Sequence, residues 1–167
     1  MLKRLALFCG VAVLILNCRI TMAGQMPGHS AHEQTTETAV GTHHADVEKH
    51  KGCRHCGMDR GKFAHSRMLI TYSDGQVVGV CSIHCGVTEL KAGKGKTVKT
   101  VEVADLNTKK LVNAEKAIWV IGGSKKGVMT RTAKWAFTEK DAAAAFIKMN
   151  GGTLATYREA LASAEKD

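Results

Sequence analysis

Proline is almost missing from this chain of 167 residues, and the single one, Pro27, lies near the N-terminus. That excludes collagen-like and proline-rich recognition segments. It also weakens a thioredoxin-like reading, which expects a proline-bearing face beside its Cys-x-x-Cys pair within a βαβ pattern. Aromatic residues make up only 5%, too few for the interleaved stacking platforms of a single-strand nucleic-acid binder. No apolar run approaches the roughly 20 residues of a membrane-spanning helix. No Ser/His/Asp set, paired-carboxylate arrangement or phosphate loop presents itself. "GGSKKG" (122–127) lacks the Walker spacing and reads as a loop between strands. An enzyme is therefore not expected.

Charge is lopsided: 24 Lys and Arg against 15 Asp and Glu give a formal net charge of +9. Clustered on one face, that excess would suit phosphates. The lysines instead spread from Lys91 to Lys148, as on ordinary solvated faces, and no nucleic-acid partner is expected.

The N-terminus carries an address. Lys3 and Arg4 precede an apolar run from Leu5 to Leu16, and "ITMAGQ" follows with small residues Thr21 and Ala23 ahead of Gly24. This is the pattern of an export signal over residues 1–23. Lipid processing at Cys18 is the alternative, and would tether the protein to a membrane, although Asn17 is a poor residue before a lipidated cysteine. Either route places the mature protein in the periplasm or otherwise outside the cytoplasm. Residues 24–51 lack apolar periodicity and hold five of the eight histidines, His29, His32, His43, His44 and His50. They read as a disordered tether able to collect metal weakly.

The folded part reads as α+β: two small hairpin-plus-helix (ββαβ-type) units, residues 52–106 and 107–167. "RMLITYSDGQVVGV" (67–80) alternates on either side of Asp74-Gly75, a hairpin signal. It runs into a helix that Ser82 can cap, with Ile83, Val87 and Leu90 at helical spacing. "TVKTVEVADLNT" (97–108) is a further strand. In the second unit "EKAIWVIGG" and "TAKWAF" are strands, Thr138 with Asp141 opens a helix that Gly151 and Gly152 stop, and "YREALASAEK" is a closing helix.

Excluding Cys9 and Cys18, the remaining cysteines form two pairs, Cys53-x-x-Cys56 and Cys81-x-x-x-Cys85, with 24 residues between them. One pair falls on a knuckle before the hairpin and the other at the helix after it. This is a treble-clef-like layout in which four thiolates could enclose one tetrahedral ion. The helix N-terminus should make Cys81 or Cys85 partly thiolate near neutral pH. Met58, two residues after Cys56, brings a thioether suited to Cu(I) rather than Zn(II). Met129, in "KKGVMTR", raises the same possibility, and His55 and His84 lie inside the pairs as further candidate ligands. Cu(I) is the expected ion and Zn(II) the second candidate. A structural four-cysteine zinc module acting in interactions and a disulfide-stapled domain stay open beside the copper reading, because exported proteins commonly oxidise paired cysteines.

"CRHCGM", "YSDGQVVGVCSIHC", "AIWVIGGSKKGVMT" and "AFTEKDAAAAFIKMNGG" together resemble the NosL family of nitrous-oxide reductase accessory proteins, over roughly residues 52 to 160. The resemblance implies an exported, often lipid-anchored copper(I) metallochaperone of two related ββαβ-type units, with a client copper protein such as nitrous-oxide reductase. The family's Cys-Gly-Met element falls on Cys56, Gly57 and Met58, and its second-unit loop on Gly127 and Met129. This chain has Gly-Val-Met-Thr where members commonly show Gly-Pro-Met-Gly, and adds the pair in "CSIHC" that members often lack.

Overall fold

The computed structural model describes residues 44–167. The export signal, Cys18 and the tether up to residue 43 lie outside the described residues. The last part of the expected tether is not extended chain: Ala45–Lys49 forms a five-residue helix, α1. Its Asp46 accepts hydrogen bonds from Arg60 (2.8 Å) and twice from Arg67 (2.9 Å each). Both guanidiniums are almost wholly buried, so tertiary pairing fixes a segment whose composition is that of a linker.

Strands β1 (Met68–Tyr72) and β2 (Val77–Val80) form the expected hairpin, with Ile70 opposite Val78. β1 alternates as a half-buried strand should, burying Met68, Ile70 and Tyr72. Gly75 takes φ +87° at the turn, a conformation that glycine adopts without a Cβ penalty. Helix α2 (Ile83–Ala92) follows, then β3 (Val98–Ala104) and the short β4 (Leu111–Asn113). The sheet order is β2-β1-β3-β4 with antiparallel neighbours throughout.

The second sheet holds β5 (Ile118–Ile121), β6 (Lys134–Phe137) and β7 (Thr153–Ala155) in the order β6-β5-β7, again antiparallel. Helix α3 (Lys140–Asn150) crosses from β6 to β7, and α4 (Tyr157–Ala164) ends the chain. Each half therefore runs ββαβ with its first strand central. The structure confirms the α+β architecture, with two refinements of position. β4 belongs to the first sheet, so that sheet extends past residue 106, and β7 is a strand that the sequence reading passes over.

Helix starts also differ in detail. Ser82 is the N-cap of α2 but makes no side-chain cap bond. The N-cap of α3 is Glu139 rather than Thr138, and the Thr138 N–H donates to Asp105 Oδ2 at 2.7 Å. Asp105 is buried, and its other oxygen accepts from the N–H groups of Asn107 (2.9 Å) and Thr108 (2.7 Å). With the Leu106 N–H to Ala136 carbonyl bond (2.8 Å) it stitches the first sheet to the second. The core around β1, β2 and α2 continues into Trp119, Ala136 and Ala160, so the two halves share packed interior.

Candidate metal centre

Two backbone devices bring the cysteines together. In the knuckle the Cys53 N–H donates to the Met58 carbonyl (2.8 Å) and the Gly57 N–H to the Cys53 carbonyl (2.9 Å). Gly57, at φ +75°, supplies the left-handed residue that closes the loop. The Arg54 N–H, bonded to the Gly79 carbonyl at 3.1 Å, ties the knuckle to the outer edge of β2. Cys81 follows directly on β2, and Cys85, four residues on, lies in the first turn of α2.

The four Sγ atoms all lie within 4.8 Å of one another. Cys56 and Cys81 are 3.4 Å apart, and Cys81 and Cys85 3.8 Å. A tetrahedral thiolate shell with metal–sulfur bonds of about 2.3 Å has edges of about 3.8 Å, so the cluster fits an enclosed soft ion with little adjustment. All four are free cysteines, so the disulfide-stapled alternative does not describe this structure. Three sulfurs are interior, with Cys53 4%, Cys81 0% and Cys85 3% exposed, whereas Cys56 is open to solvent.

The thiols are electrostatically unequal. Cys81 is pulled down to about 5, chiefly because the Cys85 thiol hydrogen-bonds to it, with Cys56 and the Ser82 hydroxyl adding to the effect against the opposing influence of burial. Cys85 is pushed up for the reciprocal reason and by its burial. Although the residue is exposed, partial desolvation by its neighbours pushes the Cys56 thiol up to about 11, against a backbone hydrogen bond from Met58. Cys81 is thus the member of the helix pair whose thiolate form the surroundings favour.

Around the sulfurs the candidate ligands divide. Met58 is half-buried and packs against the core that contains Cys53, Cys81 and Cys85. Met129 stands in the β5–β6 loop at φ +58° and 47% exposed. Its neighbours Val128 and Thr130 line a small cleft with Ser82 and Ile83 at the start of α2. His84 is outside the sulfur group, as is His55. The His55 imidazole instead donates from Nε2 to Glu89 Oε2 at 2.7 Å, and the Tyr72 hydroxyl donates to Glu89 Oε1 at 2.9 Å. Glu89 escapes the sequence reading. Its signal was available: a carboxylate four residues after Cys85 falls on the same helix face as that cysteine.

A profile of the NosL family matches residues 44–164. The crystal structure of the copper chaperone NosL from Shewanella denitrificans is similar at 25% sequence identity and a TM-score of 0.53, over 71% of this chain and 90% of that one. A comparison with curated proteins finds no match. The profile spans nearly all of the described fold, both ββαβ halves and all four clustered cysteines, and the chain belongs to the NosL family.

Proposed function

We infer that this protein is a carrier rather than a catalyst, one that binds Cu(I) through Cys53, Cys56, Cys81 and Cys85 and hands it to a client copper protein. The observation that carries the reading is the convergence of four sulfurs on one point with a single one, Cys56, facing solvent. Soft thiolates select Cu(I), and two or three of them suffice for that ion, which leaves room for an incoming ligand. Exchange then proceeds stepwise. The acceptor's thiolate, thioether or imidazole enters where Cys56 is exposed, and the buried sulfurs let go in turn.

Met58 is the supplementary ligand on this reading, since the knuckle that positions Cys56 also positions it. Met129 and His84 are further candidate donors, of which His84 lies outside the sulfur group. Membership of the family, and the resemblance to a solved copper chaperone, support copper as cargo. Nitrous-oxide reductase is the client that the family resemblance implies. Export through residues 1–23, with a membrane tether through Cys18 as the alternative, would place the transfer outside the cytoplasm.

A second reading rests on the same cluster: four thiolates at tetrahedral spacing would also hold Zn(II) as a structural staple. The two separate on removal of metal, because a structural zinc site contributes folding energy outright. Anaerobically purified protein titrated with Cu(I) and Zn(II) against a chelator is expected to bind one Cu(I) far more tightly than Zn(II), with loss of free thiols and weaker binding in Met58→Ala. The metal-free protein should keep its far-ultraviolet circular dichroism. Co-purified zinc whose removal unfolds the first half would defeat the carrier reading.

A further inference from the structure

The hydrogen bond between His55 and Glu89 joins the two halves of the sulfur cluster. His55 lies in the knuckle between Cys53 and Cys56, and Glu89 on α2 one turn past Cys85. At 2.7 Å between Nε2 and Oε2 the contact is short, and a bond to a carboxylate is among the stronger kinds. Its far end is fixed, because Tyr72 on β1 holds Glu89 Oε1 at 2.9 Å and Glu89 is only 7% exposed. The near end is free to give: the His55 side chain is 22% exposed. A cleft of about 230 Å³ runs beside it, lined by Arg54, His55, Gln76, Glu89, Gly93 and Lys96. Among the described residues, one backbone bond, from Arg54 to Gly79, otherwise ties the solvent side of the knuckle to β2.

We propose that His55 and Glu89 form a latch on the metal port. Closed, the latch presses the knuckle onto α2 and keeps Cys56 against Cys81. Open, with the imidazole turned into the cleft, it lets Cys56 swing outward and cede its place to the acceptor's ligand. The two residues are positioning residues: neither touches the ion, and both act through Cys56. The proposal rests on the carrier reading above, and it names how that site is regulated. An acceptor segment that fills the cleft would displace the imidazole, so docking and release would be one event.

The test uses the full chain with His55→Phe, which keeps a ring and removes the donor, and His55→Gln, which keeps a donor. In metal-free protein, amide hydrogen exchange over residues 53–58 should be about tenfold faster in H55F, equivalent to ~1.4 kcal/mol, and largely restored in H55Q. The melting temperature should hardly move. In Cu(I)-loaded protein, withdrawal of the ion by a chelator should accelerate by a similar factor in the same order. Glu89→Gln, which keeps an acceptor for the imidazole but loses the charge, should fall between parent and H55F. Parent-like knuckle exchange and release rates in H55F would overturn the latch, as would acceleration spread over the whole fold with a lowered melting temperature. If the parent takes up no Cu(I), the carrier reading fails separately, and the metal-free exchange still decides whether the bond restrains the knuckle.

Discussion

Replacing Asp46 with alanine tests whether the segment before the knuckle is part of the fold. The carboxylate makes three charge-assisted hydrogen bonds to two guanidiniums whose side chains are 0% and 1% exposed. Breaking a buried pair by removing one partner typically costs about 3–5 kcal/mol, because the other charge is left uncompensated. The arginines keep other acceptors: Arg60 bonds the carbonyls of His50, Met68 and Val80, and Arg67 those of Ala64 and Lys109. Those contacts pull the expected loss to the low end, ~3 kcal/mol at pH 7. The assay is urea unfolding, read as a fall in midpoint at unchanged slope. Acid supplies the sign. Burial pushes the Asp46 carboxyl up, but Arg67 and then Arg60 outweigh it and hold it below the usual carboxylate range. A group with a depressed folded pKa adds stability above its unfolded pKa and loses it as pH falls through the folded one. The gap between parent and Asp46→Ala should therefore narrow below about pH 4. A loss under ~1 kcal/mol at pH 7, the level of an exposed surface pair, or a gap that persists undiminished at pH 2, would refute the reasoning.

Cys81→Ser should weaken Cu(I) binding by more than about 100-fold, since even loss of a supporting residue reaches that level; chelator competition measures it, and a tenfold effect or less would remove Cys81 from the shell. Thiolate absorbance of metal-free protein should rise through an inflection near pH 5 for Cys81 and a separate one near pH 11 for Cys56. In Cys85→Ser the first inflection should change, because the Cys85 thiol is the largest influence holding Cys81 down. Gly79→Ala would set a Cβ 2.6 Å from the Arg60 guanidinium and 2.7 Å from His50 Cβ. Overpacking of that kind costs about 1–3 kcal/mol, and a variant as stable as the parent in thermal unfolding would show that Arg60 can move.

What was legible in the sequence is what local chemistry dictates. Asp74-Gly75 between alternating runs announces the hairpin, and the 3.6-residue recurrence of Ile83, Val87 and Leu90 announces α2. Cys-x-x-Cys before the hairpin and Cys-x-x-x-Cys after it place four sulfurs at one end of that hairpin and helix. What escaped depends on partners distant in the chain. Arg60 and Arg67 carry no signal of their own in the sequence, and only folding shows the carbonyls and the single carboxylate that surround them. Asp46 lies in a stretch whose composition says linker. Glu89 breaks an otherwise apolar helix face because His55 and Tyr72 await it. Thr153–Ala155 is too short to show alternation, and it becomes a strand only because β5 offers it an edge.

The shared strand order of the two sheets has one more consequence. In the first half a cysteine directly follows β2 and another lies four residues on; the matching offsets after β6 hold Thr138 and Ala142. The chain thus contains its own control experiment, the same ββαβ path built once with sulfur at its turn and once without. The strand order itself therefore does not require sulfur at this turn. On the carrier reading the cysteines of the first half are then cargo fittings on a frame whose path does not depend on them, and the metal-free protein should keep its shape.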